Sequence, residues 1–106
     1  MSYRFMRIIV MFDLPVITNA QRHEYTKFRK YLIKNGFMMM QESIYCKLTQ
    51  NLTSADLIIA NIKKNKPQGG LVQVMKITEK QYSKIEYIVG KSSSEVIDTD
   101  ERLLFL

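Results

Sequence analysis

An α+β fold, with two helices packed on one face of an antiparallel sheet, is what this sequence predicts. Three observations predict it. Met6–Phe12 is apolar on both alternating faces apart from Arg7, the pattern of a central strand covered above and below. Two later segments, starting near Thr18 and Thr53, carry apolar residues at helical spacing and run into Gly36 and Pro67. Around these helices lie short stretches of strand-forming residues, in the order strand, helix, strand, strand, helix, strand.

The first strand begins at Tyr3 and ends at Asp13, with Pro15 forbidding further pairing. A buried strand thus delivers one carboxylate to a rim. Asp suits such a junction as a turn residue; it equally suits a functional site, because sites favour loops held by rigid elements. Thr18 and Gln21 then have capping-box spacing. Tyr25, Phe28 and Leu32 form the apolar stripe of the first helix, and Gly36 ends it. Its other side bears Lys27, Lys30 and Lys34, flanked by Arg22 and Arg29, with Glu24 the only acid. Such a face is commonly just solvated, but this excess of cations suits phosphate contact.

Phe37–Gln41 and Ser43–Leu48 read as two short strands, or as one strand kinked near Glu42. In the second, Ile44, Cys46 and Leu48 alternate with Ser43, Tyr45 and Lys47, which places the first set on the buried face. Met38–Met40 reads as filler of irregular gaps. Thr53 is the expected cap of the second helix, whose stripe is Ala55, Ile58, Ile59 and Ile62. Lys63, Lys64 and Lys66 complement its C-terminal dipole. Leu71–Ile77 is a strand with Val72 and Val74 on one face; Thr78–Tyr82 is a capped turn of helix, and Lys84–Val89 another strand. Lys91–Asp100 is a polar connector, and Arg102–Leu106 an apolar end expected to dock on this chain or a partner.

This order is the ferredoxin-like βαββαβ plan with additional C-terminal strands. The expected organisation is a ferredoxin-like domain over residues 1–90 and a connector with a docking strand over 91–106. In this plan both helices cover one sheet face. The bare face calls for a homodimer formed through the sheet faces.

At 106 residues the chain supports one core, and 46% apolar with 25% charged residues is ordinary globular composition. Its longest apolar run, Ile8–Phe12, is far too short to span a membrane. One cysteine and one histidine exclude an internal disulfide and a multi-Cys or multi-His metal site within one chain, and point to the cytoplasm. The net charge of +6 is unevenly placed: fifteen basic and six acidic residues lie in 1–91, one basic and four acidic in 92–106. A basic body points to an anionic partner, nucleic acid first. Glycine-rich phosphate loops, nucleophile elbows and triads are missing. A single carboxylate makes a poor metal site, but Asp13 from each of two protomers could hold magnesium together with substrate phosphate.

The hydrophobic strand ending in Asp13-Leu14-Pro15, the basic first helix ending at Gly36, the Gln41-x-Ser43-Ile44-Tyr45 segment and the element order together resemble the Cas2 family of CRISPR-associated proteins. The likeness covers nearly the whole chain. Met1–Arg7, Thr78-Glu79-Lys80-Gln81 and Asp100-Glu101-Arg102 look like its type II-A branch. The resemblance implies a homodimer that binds double-stranded DNA and bridges dimers of the Cas1 integrase during spacer acquisition. It also implies a metal-dependent endonuclease on DNA or single-stranded RNA, with Mg2+ or Mn2+ as cofactor. Asp13 inherits the metal-ligand role, Ser43 the serine near the site, and Arg22 and Arg29 the basic positions of the first helix. Met39 stands where many relatives carry arginine, a departure that bears on cleavage more than on scaffolding. In the integrase reading, Arg102, Leu103, Leu104, Phe105 and Leu106 form the partner contact. The alternative is a ribonuclease toxin of the same fold acting without an integrase.

Overall fold

The structure, a computed structural model, describes residues 5–91. The expected docking strand Arg102–Leu106 and most of the connector before it lie outside the described residues. Seven elements follow in order: β1 (Met6–Asp13), α1 (Asn19–Lys34), β2 (Met38–Gln41), β3 (Ile44–Thr49), α2 (Leu52–Lys64), β4 (Leu71–Thr78) and the short α3 (Glu79–Ser83). The sheet has the order β2-β3-β1-β4, with every pair antiparallel. This is the ferredoxin-like arrangement, and β1 is indeed central.

Ile8, Val10 and Phe12 of β1 point into one core with Phe28 and Leu32 of α1 and Ala55 and Ile62 of α2. Both helices therefore cover the same sheet face. Burying such side chains contributes roughly 1.5–3 kcal/mol each, which is what fixes the layer order. The start of α1 is the expected capping box: Thr18 Oγ1 accepts from the Gln21 amide, and Gln21 Oε1 accepts from the Thr18 amide. Its end is a Schellman turn, with the Gly36 amide donating to the Ile33 carbonyl and the Phe37 amide to the Leu32 carbonyl. Gly36 adopts φ +88°, as that turn requires.

Three local expectations are corrected. The α2 cap is Asn51, not Thr53: the Asn51 side chain accepts from the Ser54 amide at 2.8 Å, and Thr53 already lies in the first turn. Lys84–Val89 forms no strand; it leaves α3 as irregular chain, paired to no sheet edge, with Ile88 and Val89 exposed. In β3, Tyr45 rather than the Ile44–Cys46–Leu48 set faces the helices. The reason is pairing: Tyr45 sits opposite Val10, whose side chain is in the core, while Cys46 sits opposite Ile9. A strand's partners decide which face turns inward.

The second sheet face stays open at its flanks. Leu48, Leu71, Met75 and Met38 are 46%, 54%, 44% and 57% exposed. One end of this face is covered by α3, held by Arg7. Its Nε donates to Glu79 Oε2 at 2.6 Å and its Nη2 to Glu79 Oε1 at 3.1 Å, and its guanidinium lies 4.1 Å from the centre of the Tyr82 ring. The contact with Glu79 raises the Arg7 pKa above its ordinary value. Among the described residues, no helix is long and apolar enough to cross a membrane.

Candidate functional site

Three chain segments converge where β1 ends. The first is β1 itself, whose penultimate residue Phe12 is clamped by aromatic rings. Phe28 meets it edge-on at 5.3 Å and Tyr45 stacks at 5.7 Å between centroids. Each such pair adds roughly 0.5–1.5 kcal/mol beyond burial, so the residue under Asp13 has little freedom. The second is the β2–β3 hairpin, which the Phe12 amide pins to β1 by donating to the Ser43 carbonyl at 3.0 Å. Ser43 has φ +67°, an unusual conformation for a residue with a side chain. The third is the turn into β4. Gly70, at φ +84°, packs so closely that a Cβ there would lie 2.7 Å from Leu14 Cδ2 and 2.8 Å from the Asp13 carbonyl oxygen.

The outcome is a shallow depression of about 290 Å3 in which Asp13 and Ser43 come together, joined by Glu42, Met11, Ile44 and Gln73. The sequence reading singled out Asp13 and Ser43 and missed Glu42. A second depression of about 320 Å3 adjoins it, shares Glu42 and Ser43, and is completed by Tyr25, Arg29, Met39 and Tyr45. Asp13 is exposed and makes no ion pair or side-chain hydrogen bond with the described residues.

The five cations expected to meet nucleic acid divide into three kinds. Lys27, Lys30 and Lys34 are exposed and have no partner among the described residues. Their spacing gives one stripe along α1. Arg22 instead braces the loop before the helix: its Nη1 donates to the Val16 and Ile17 carbonyls at 3.1 and 2.8 Å, and its Nη2 to Asn19 Oδ1. Arg29 donates through Nε to the Tyr45 phenol oxygen at 2.9 Å, and this contact raises its pKa. The structure thus separates Arg22, committed to the backbone, from Arg29, which borders the site.

No group of three or more His, Cys, Asp or Glu side chains comes together among the described residues. The rim offers the Asp13 carboxylate, the Ser43 hydroxyl and Glu42, all hard oxygen donors. Such a set fits an ion of the magnesium kind, which keeps several waters and takes one or two carboxylates with substrate phosphate, rather than zinc. Gly70 and Tyr45 were the other supports missed. The Gly69-Gly70 pair reads in sequence as a helix stop, and nothing in the sequence places Tyr45 beside Arg29.

Residues 6–85 match the family described as CRISPR associated protein Cas2. A Treponema denticola protein named CRISPR-associated endoribonuclease Cas2 is 59% identical over 101 residues, covering 95% of this chain and 100% of that one. Proteins of the same name from Ligilactobacillus salivarius and Streptococcus mutans are 43% and 41% identical, each over 95% of this chain and over 100% and 93% of their own lengths. A solved structure, described as the crystal structure of cas2, superimposes with a TM-score of 0.57 at 18% identity, over 85% of this chain and 92% of that one. At that identity the likeness speaks for the fold, which it supports. Element order, matched span and full-length relatives agree, and this chain belongs to the Cas2 family of CRISPR-associated proteins.

Proposed function

We propose that this chain is a CRISPR adaptation protein, a cytoplasmic homodimer that holds double-stranded DNA and bridges Cas1 integrase dimers. We further propose that it can cleave a phosphodiester in RNA or DNA with Mg2+ or Mn2+. One observation carries the reading: a helix whose three exposed lysines have no partner among the described residues, and whose Arg29 borders a rim bearing a carboxylate that is unpaired among those residues. Free cations along a helix suit a run of phosphates, while a lone carboxylate repels phosphate unless a cation lies between them. The names of the relatives, CRISPR-associated endoribonuclease Cas2, support the cleavage part of the reading.

In this reading the open sheet face, with Leu48, Leu71 and Met75, meets its own copy about a two-fold axis, and the two Asp13 residues approach each other. Those carboxylates would hold the metal ion, which when bound supplies charge neutralisation and an activated water. Lys27, Lys30 and Lys34 bind successive phosphates, and Ser43 orients a phosphate oxygen beside Asp13. The apolar segment Arg102–Leu106, outside the described residues, would contact the partner protomer or the integrase. Asp13→Asn separates scaffold from enzyme. Metal-dependent cleavage should fall to background, duplex affinity should hold or tighten because a repulsive charge is gone, and spacer acquisition should continue. Cleavage at the wild-type rate would reduce Asp13 to a turn residue. Lost acquisition by a folded, DNA-binding variant would overturn the scaffold role. Charge reversal at Lys27, Lys30 and Lys34 should weaken binding and flatten its salt dependence by about 1 per lost contact.

A further inference from the structure

We propose that Tyr45 is a positioning residue, whose buried phenol fixes Arg29 as a clamp for a backbone phosphate beside the Asp13–Ser43 depression. The inference rests on the nucleic-acid reading above and assigns it a part that the lysine stripe does not supply.

Tyr45 is 1% exposed, stacked on Phe12, and set by its register opposite Val10. Its ring therefore has one available position, and its oxygen is a fixed point at the surface end of the core. Arg29 donates to that oxygen through Nε at 2.9 Å. No other hydrogen bond engages the guanidinium among the described residues, which leaves both Nη groups, and so four N–H donors, for a ligand. A guanidinium tethered by Nε presents its outer edge as a fork, the geometry that takes two oxygens of one phosphate. A free arginine must lose several rotamers to do this; this one has largely lost them in folding. The contrast with Arg22 is direct, because both Nη groups of Arg22 are occupied by the chain itself.

Position gives the clamp its purpose. The depression bordered by Arg29 and Tyr45 shares Glu42 and Ser43 with the one that holds Asp13. A phosphate held there sits on the same strand path as a phosphate at Asp13. Glu42 between them disfavours a phosphate that is not held by a cation. Arg29 thus sets which phosphate lies at the carboxylate, and Tyr45 sets where Arg29 is.

The test compares wild type, Tyr45→Phe, Arg29→Ala and the double variant. Each is titrated with duplex DNA and with single-stranded RNA of equal length over a range of salt. Arg29→Ala should weaken binding about tenfold and flatten the salt dependence by about 1, as one lost phosphate contact does. Tyr45→Phe keeps the ring and the charge, so binding should weaken about threefold, the scale of ordering one long side chain, with the salt dependence unchanged. In the Arg29→Ala background Tyr45→Phe should do nothing further. The loss on duplex, on RNA or on both identifies the strand the clamp holds. Wild-type affinity in Tyr45→Phe, or an equal loss with and without Arg29, overturns the proposal, since packing alone would act in both backgrounds. If Tyr45→Phe fails to fold, Arg29→Lys replaces it: charge without the fork should give the same threefold loss at constant salt dependence, and unchanged affinity overturns the clamp. A wild-type protein that binds neither nucleic acid fails at the earlier step, and with it the function on which the clamp depends.

Discussion

Ser43 keeps a left-handed backbone without being glycine, at φ +67°. For a residue with a Cβ that conformation costs roughly 1–2 kcal/mol, more than glycine's entropic cost of about 0.5–1 kcal/mol. Ser43→Gly should therefore leave stability unchanged or raise it by about 0.5 kcal/mol in urea unfolding. If the hydroxyl serves the site, cleavage should fall in the same variant; a stability loss with unchanged cleavage would show that the serine is there for structure. Gly70 is the converse case. A methyl at Gly70 meets Leu14 and the Asp13 carbonyl at under-contact distances of 2.7 and 2.8 Å, on a backbone at φ +84°. Gly70→Ala should cost about 2 kcal/mol and displace Asp13, so stability should fall and, under the proposed function, metal-dependent cleavage with it. The carboxylate was legible in sequence because a strand breaker follows it. Its supports were not, because Glu42, Tyr45 and Gly70 reach the rim through pairing between distant segments.

At the level of elements, both long helices were legible in their stripes, and the α1 capping box in its spacing. The α2 start was misread because Asn51 and Thr53 both precede the apolar stripe, and only the backbone decides which residue stays extended. The short α3 depends on tertiary contact. Five residues cannot hold a helix alone, and the Arg7–Glu79 pair with the Tyr82 ring binds it to β1. Both partners are partly shielded, with side chains 23% and 29% exposed. Glu79→Ala should lower stability by about 1–2 kcal/mol and free α3, seen as faster amide exchange over residues 79–83. Arg7's pKa is raised, so from its side the contribution is complete below the ordinary arginine range and is lost only above it. The cost of Glu79→Ala should accordingly be the same at neutral and mildly alkaline pH.

For the whole molecule, the open sheet face makes the sharpest demand. A chain of 106 residues leaves Leu48, Leu71 and Met75 about half exposed on one face, and a second copy would cover them. Light scattering should give a dimer for wild type and a monomer for Met75→Glu, a substitution the isolated fold tolerates because that side chain is 44% exposed. A monomeric wild type would assign the face to another partner. Composition, period and punctuation determined much of this protein on their own: an α+β domain, a central first strand, two amphipathic helices with the cap of the first, a basic first helix and a carboxylate at a rim. Those features are local, set by the spacing of residue types within one segment. Tertiary structure decided the rest. It turned Tyr45 inward through pairing with β1 and left Lys84–Val89 without a strand partner. It also set Arg29 beside Ser43 and separated it from Arg22. A strand's period is written in its own residues, but the sign of that period and the neighbours at its ends belong to whatever it pairs with.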